Sequence, residues 1–235
     1  MSVPDSAILL HLHHARLNAY RNGCDASDSA TLALYLWNLD LSSAAQKVLA
    51  ITEVVLRNAI DQSLRNWNVG EATRTEDWLL APAHPLDRLT ENTREEAARR
   101  ARNARTSRPG SHPRRQAPVD HNDMLVQLTL GSWNNLLPIR NRNANTFSKR
   151  RYLWHHAIKN AFPHLQNDSN GYGTAARVGN LLTLRNRVSH MEPLLDIDMV
   201  QRYNDVLTLL ASIHPDLKPW MANYSQLLTV YHQRP

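Results

Sequence analysis

The chain is poor in glycine, phenylalanine and cysteine. Its 235 residues include 7 glycines, 2 phenylalanines and one cysteine, Cys24. A lone cysteine cannot form an internal disulfide, and no Cys/His grouping has the spacing of a zinc site. No apolar run is long enough to span a bilayer, and the N-terminus lacks the basic region of a signal peptide. The sequence therefore predicts a cytoplasmic protein without membrane segments or metal.

The residues that are abundant favour helices. Apolar residues make up 42% of the chain, which is enough to build a hydrophobic core. Ala, Leu, Arg and Asn recur throughout, while glycine-rich phosphate loops of the Walker or Rossmann kind are absent. We therefore expect an all-α fold and no cofactor.

Positive charge dominates, and almost all of it is arginine. The formal net charge is +6, with 23 Arg and 4 Lys. The planar guanidinium group binds phosphate bidentately and stacks on bases, so this composition favours a nucleic-acid partner. An arginine-rich bias of the whole genome would produce the same composition.

Apolar residues at helical spacing predict a series of helices separated by short polar segments. A break is expected at Asn38-Leu39-Asp40, with Ser42 or Ser43 capping the helix that follows. Pro193 is expected to end the helix that starts near Thr174. The predicted helices cover 5–20, 28–37, 42–66, 95–105, 120–131, 148–162, 174–192, 197–213 and 216–231.

The helix predicted at 42–66 carries three polar residues of interest, Glu53, Arg57 and Asn58. Glu53 and Arg57 are four positions apart in the order that favours a helical ion pair. They could form an ordinary surface pair, which is the simpler interpretation, or point toward a shared site.

Eight arginines lie between residues 94 and 115. Pro, Gly and Ser interrupt this region, which predicts a flexible basic segment at 104–119. Such a segment could attract phosphates through counterion release, or serve only as a solvated linker.

The sequence LRNRVSH at 184–190 contains the residues best suited to chemistry. Asn186 and His190 would lie about 40° apart around a helix, and Arg185 about 140° from His190, a gap that its long side chain can bridge. Histidine transfers protons near neutral pH, and a guanidinium stabilises charge on a phosphoryl group. By itself, however, an Arg and a His five positions apart would often occur by chance in a basic helical protein.

Three segments together resemble the Abi-like (abortive infection) family of the HEPN superfamily. LRNRVSHMEP, at 184–193, matches the R-(N/H/D)-x-x-x-H motif of that superfamily. The segments YLWNLDLSSAAQKVLAITEVVLRNAI, at 35–60, and QLTLGSWNNLLP, at 127–138, are similar to the N-terminal and middle regions of the family. In HEPN ribonucleases, a polar element on an earlier helix often approaches the Arg/His motif. The resemblance places Glu53, Arg57 and Asn58 in that element.

The resemblance implies a single HEPN-like helical bundle over residues 1–235, assembled as a homodimer. It also implies a metal-independent endoribonuclease that acts as a toxin or antiphage effector, with RNA, including transfer RNA, as substrate and a cognate antitoxin as a possible partner. Arg185, Asn186 and His190 would be catalytic, with Glu53, Arg57 and Asn58 as supporting residues. The arginines expected to bind RNA are Arg99, Arg100, Arg102, Arg105, Arg108, Arg114 and Arg115.

Two other functions remain compatible with the same residues. A non-catalytic RNA-binding module would keep the fold and the basic segment without cleavage. A protein-interaction or antitoxin-like partner would use the Arg/His motif only to close a helix end or an interface.

Overall fold

The computed structural model describes residues 3–71 and 75–235, and every regular element within them is a helix. The predicted all-α class is confirmed for these residues. A short 3-10 turn at Ile158–Ala161 follows the seventh helix. The α-helices are α1 (Asp5–Leu12), α2 (His14–Arg21), α3 (Asp28–Gly70), α4 (Leu86–Thr106), α5 (His121–Leu125), α6 (Leu130–Asn134), α7 (Phe147–His156), α8 (Tyr172–Ser189), α9 (Met199–Ile213), α10 (Leu217–Tyr224) and α11 (Leu227–Tyr231).

The chain divides into two compact units. The first, the terminal unit, comprises Met1–Thr52, Asn180–Leu210 and Asp216–Pro235. The second, the central unit, comprises Glu53–Gly179 and Ala211–Pro215. Helices α3, α8 and α9 each contribute residues to both units.

The longest helix, α3, has 43 residues and no interruption. The predicted break at 38–40 is therefore wrong, and Ser42 and Ser43 lie inside the helix rather than capping it. Asn38 is buried, and its side-chain oxygen accepts a hydrogen bond from the backbone N–H of Leu194 at 2.7 Å. Because this oxygen has a partner outside the helix, it does not compete for the backbone of α3 itself.

The predicted helix at 5–20 is two helices, because His13 adopts a left-handed φ of 64° between α1 and α2. The ring nitrogen Nδ1 of His13 accepts a hydrogen bond from the backbone N–H of Ala15 at 3.3 Å and so caps α2. Neither glycine nor proline marks this break in the sequence.

Three other predicted helices each correspond to two shorter elements. The prediction at 120–131 becomes α5 and α6, whose N-caps, Asp120 and Thr129, each belong to a capping box. The prediction at 148–162 becomes α7 and the 3-10 turn, and that at 216–231 becomes α10 and α11.

In the terminal unit, the two N-terminal helices pack their apolar residues on the start of α3. Leu9, Leu17 and Leu32 form a buried cluster against which Leu12 and Tyr35 pack. Helix α11 also contacts α3, because the indole N–H of Trp37 donates to the carbonyl of Val230 at 2.8 Å.

In the central unit, the buried carboxylate of Asp61 joins three segments. It accepts hydrogen bonds from Arg65 at 2.9 Å, Trp78 at 2.8 Å and His121 at 2.9 Å. Burial alone would raise the pKa of Asp61, but the hydrogen bonds from His121, Arg65 and Trp78 outweigh it and lower this pKa below its ordinary value of 3.8. The carboxylate is therefore held in its charged form.

About two turns after Asp61, the side chain of Asn68 fixes the segment that follows α3. This fully buried amide donates to the carbonyls of Thr75 at 2.8 Å and Ala81 at 3.0 Å, and accepts from the N–H of Ala83 at 2.8 Å. A single amide thus satisfies three backbone groups that have no helix to pair with.

Before α8, Gly171 lies against a buried indole. Its φ is +72°, and an added Cβ would lie 2.4 Å from a ring atom of Trp154. The indole N–H of Trp154 donates to the carbonyl of Ser169 at 3.0 Å, which fixes the ring against this turn. Glycine is required here by both the backbone conformation and the space available.

We predict that Asn68→Ala lowers the free energy of unfolding by about 3 kcal/mol, because three hydrogen bonds worth about 1 kcal/mol each are lost. Urea denaturation of the two proteins measures this difference. Asn66→Ala is the matched control, since Asn66 is exposed on the same helix and bonds only Gln62 among the described residues. A loss for Asn68→Ala no larger than that for Asn66→Ala would contradict the prediction.

We also predict that Asp61 contributes to acid sensitivity. Because its folded pKa is lowered, its contribution is present above the unfolded value of 3.8 and is lost as the pH falls through the folded pKa. Urea denaturation at a series of pH values between about 7 and 2 should show a shallower acid loss for Asp61→Asn than for the wild type. Parallel pH profiles for the two proteins would argue against this role.

Candidate functional site

The end of α8 carries the candidate catalytic residues on a helix whose apolar face is firmly packed. Leu181, Leu184 and Val188 are buried, as the helical spacing predicts. The polar residues therefore lie on the remaining faces of α8. Within the terminal unit, Arg185 is half-buried, whereas Asn186 and His190 are exposed to solvent.

Helix α8 ends at Ser189, earlier than Pro193, which the sequence suggested as its end. Met191 adopts a left-handed φ of 53°, and its N–H donates to the carbonyl of Val188 at 3.1 Å. The N–H of Glu192 donates to the carbonyl of Arg187 at 2.9 Å. This pair of bonds is a Schellman motif, a common way to close a helix, and it makes His190 the C-cap residue.

The C-cap position keeps His190 in register with the helix. Its N–H still donates to the carbonyl of Asn186 at 3.0 Å, so the backbone joins the two residues. Within the described part of the terminal unit, no side-chain hydrogen bond or ion pair engages Arg185, Asn186 or His190.

Arg187, between these residues, has a different role that the sequence did not reveal. Its guanidinium donates to Asp196 at 2.7 Å and to the carbonyl of Pro193, and it lies 3.7 Å from Glu192. The hydrogen bond to Asp196 raises the pKa of Arg187. Arg187 thus ties down the loop that follows His190. In the sequence, the nearby acidic residues Glu192 and Asp196 were the signal that could have predicted this role.

Glu53, Arg57 and Asn58 lie on α3 within the central unit. Arg57 donates to the side-chain oxygen of Asn58 at 3.3 Å. No ion pair joins Glu53 to Arg57 among the described residues, so the simpler interpretation of these two as a surface pair is wrong. The guanidinium of Arg57 turns to its neighbouring amide instead.

The arginines of α4 that were predicted to bind RNA are partly engaged by a carboxylate of the same helix. Glu96 accepts from Arg99 and from Arg100, each at 2.6 Å. The hydrogen bonds from Arg99 and Arg100 lower the pKa of Glu96 to about 2. These two exposed arginines therefore have a nearby negative charge.

The basic segment after α4 also contains internal ion pairs. Residues 107–120 form turns without a helix or strand. Asp123 accepts from Arg108 at 3.0 Å and from Arg114 at 2.6 Å, and Asp120 accepts from Arg114 at 2.7 Å. Burial would raise the pKa of Asp123, but the hydrogen bonds from Arg108 and Arg114 lower it to about 2.

The remaining predicted RNA-binding arginines are less uniform. Arg105 donates to the carbonyl of Ala117 at 3.3 Å, and Arg115 donates to the carbonyl of Arg108. Arg102 is exposed on α4 and has no ion pair among the described residues. Four of the seven arginines thus pair with a carboxylate, and the other three keep an unpaired charge among the described residues.

Three further observations concern a metal site, a membrane span and similarity to known proteins. Among the described residues, no three His, Cys, Asp or Glu side chains are grouped so as to hold a metal ion. No helix in the described ranges is both long and apolar enough to cross a membrane. Comparisons with family models, with curated proteins and with solved structures found no match to this chain.

We predict that Met191→Gly is more stable than Met191→Ala by about 1 kcal/mol. A left-handed residue with a Cβ is strained by roughly 1–2 kcal/mol, and glycine removes this strain at a smaller cost in unfolded-state entropy. Both variants lose the same half-exposed side chain, so urea denaturation compares the backbone effect alone. Equal stability of the two variants would show that position 191 is not strained.

Proposed function

We propose that this protein is a metal-independent endoribonuclease that acts as a toxin or antiphage effector. The observation that carries the proposal is the end of α8, where Arg185, Asn186 and His190 share one helix terminus. Within the described part of their unit, these side chains are not committed to other protein groups. The sequence resemblance to Abi-like proteins supports the same assignment.

The proposed chemistry uses the 2′-hydroxyl of RNA as the nucleophile. His190 removes its proton while the oxygen attacks the adjacent phosphorus, and the 5′ oxygen of the next nucleotide leaves with a proton. Arg185 stabilises the charge that develops on the phosphoryl oxygens, and Asn186 orients the phosphate. The products are a cyclic phosphate and a free 5′-hydroxyl.

A single imidazole cannot be base and acid in the same step. A two-fold homodimer would supply a second His190, so that one ring accepts a proton while the other donates one. We therefore propose that the active form is a dimer and that activity increases as the protein concentration passes through the range of dimer formation.

We predict that His190→Ala lowers the rate of RNA cleavage by at least about 100-fold, because a general acid–base residue contributes that much or more. Arg185→Lys should retain more activity than Arg185→Ala, since it keeps the charge but not the bidentate fork. The measurement is incubation with total and transfer RNA in EDTA, followed by identification of the fragment ends.

His232→Ala provides a matched control, because His232 is also an exposed C-cap histidine in the terminal unit. It should cleave like the wild type. Cleavage by His190→Ala at the wild-type rate, or cleavage abolished by EDTA, would refute the proposed mechanism. Intact RNA with every protein, over concentrations that span dimer formation, would favour a non-catalytic RNA-binding module instead.

A further inference from the structure

A continuous stretch of the central unit contains no acidic residue. Residues 124–167 lack Asp and Glu altogether. The stretch therefore carries a formal charge of +6, while the 21 Lys and Arg residues outside it equal the 21 acidic residues in number. Its six cationic residues are Arg140, Arg142, Lys149, Arg150, Arg151 and Lys159.

The folded structure leaves this charge uncompensated. None of the six cations forms an ion pair with a carboxylate of the described residues. Arg140 lies over the ring of Tyr172, with its guanidinium carbon 4.8 Å from the ring centre. Arg150 is half-buried and donates to the carbonyl of Leu137 at 3.4 Å. These contacts retain the positive charge, unlike the ion pairs that Glu96 and Asp123 make.

Helix α7 presents an aromatic surface in the middle of this stretch. The rings of Tyr152 and His156 are stacked, with centres 4.1 Å apart and planes inclined by 27°. Tyr152 is 40% exposed, whereas Leu153 and Trp154 of the same helix are fully buried. The imidazole of His156 covers one face of the tyrosine ring and holds it in place, and the rest of the ring accounts for its exposure.

A shallow, largely open depression of about 410 Å³ lies along the same face of α7. One helical turn separates its successive pairs of residues, so the surface runs along the helix. It is lined by Phe147, Ser148, Arg151, Tyr152, His155 and His156. The lining thus combines planar rings with cationic or neutral polar groups and contains no carboxylate.

The ionisation of His155 reflects the local positive field. Burial lowers the pKa of His155, and the neighbouring charges of Arg151, Lys159 and His156 lower it further. No acidic group is among the causes of this shift. A polyanion approaching this face would therefore meet a positive potential without competition from carboxylates.

We propose that this face of α7 binds single-stranded RNA, with a base stacked on Tyr152 and the adjacent phosphate on Arg151. Exposed rings among unpaired cations are the features with which proteins hold unpaired bases and their backbone. A duplex would offer no free base face, and the lining contains no exposed aliphatic residue to enter a membrane. The inference rests on the proposed function insofar as RNA is the ligand.

The test uses a fluorescent 2′-O-methyl RNA strand, which lacks the nucleophile and cannot be cleaved by the proposed mechanism. Fluorescence anisotropy with the full chain should show about 10-fold weaker binding for Tyr152→Leu, because base stacking on an aromatic ring is lost. Tyr152→Phe retains the ring and should bind like the wild type. This pair separates stacking from a merely structural role.

The phosphate contact is tested by the salt dependence of binding. Arg151→Gln should weaken binding and reduce the slope of log affinity against log salt by about 0.7, the value for one phosphate on a single strand. Arg88→Gln is the matched control, since Arg88 is exposed but paired with Asp87. It should change affinity less than 2-fold and leave the slope near the wild-type value.

The outcomes separate this inference from the ribonuclease proposal. His232→Ala should bind the strand like the wild type, because His232 is exposed and belongs to neither proposed site. Wild-type cleavage together with unchanged binding by Tyr152→Leu and Arg151→Gln would overturn the α7 site and leave the ribonuclease proposal intact. Weakened binding by Tyr152→Leu and Arg151→Gln, with no RNA cleavage by any of the proteins, would support the α7 site and overturn the ribonuclease proposal. Failure of the wild type to bind the strand, or preference for duplex RNA or anionic vesicles, would also overturn the site.

Discussion

The hydrogen-bonding needs of polar side chains buried on α3 organise much of what surrounds this helix. Within the terminal unit, Asn38 holds the backbone at Leu194. Within the central unit, Asp61 bonds Trp78 and His121, Ser63 donates to the carbonyl of Ala157 at 2.7 Å, and Asn68 fixes the segment after the helix. A buried polar group without a partner is costly, so each of these residues accepts only a narrow set of neighbouring structures.

This constraint explains which parts of the fold the sequence could predict. Composition indicated the all-α class, and periodic apolar residues indicated the approximate positions of α8 and α9. Helix α4 begins at Leu86, nine residues before the predicted 95–105. The break predicted at Asn38 was wrong. Asparagine favours turns in a local sequence, but here the backbone N–H of Leu194, 156 positions away, bonds its side chain and stabilises it in a helix. The break at His13 was missed for the opposite reason. A left-handed histidine leaves no pattern in glycine, proline or apolar spacing.

The candidate site shows the same limit. Helical spacing was sufficient to place Arg185, Asn186 and His190 at one end of a helix, because that geometry is local. Counting arginines was not sufficient to locate free positive charge, because pairing depends on the fold. Residues 94–115 are rich in arginine but pair in part with Glu96 and Asp123, whereas the cations of the less conspicuous α7 form no ion pair with a described residue. The useful signal was the absence of acids, rather than the density of cations.

The contact between Gly171 and Trp154 has a consequence for how this sequence can change over time. A side chain at 171 is excluded by the indole as well as by the backbone, so the two positions form a coupled pair. Replacing Trp154 by a smaller residue would make space for a side chain at 171 but would leave the backbone there in its left-handed conformation. Substitutions that reach both positions would have to occur in order, with the indole lost first and the residue at 171 still drawn from those that tolerate a left-handed backbone, such as asparagine.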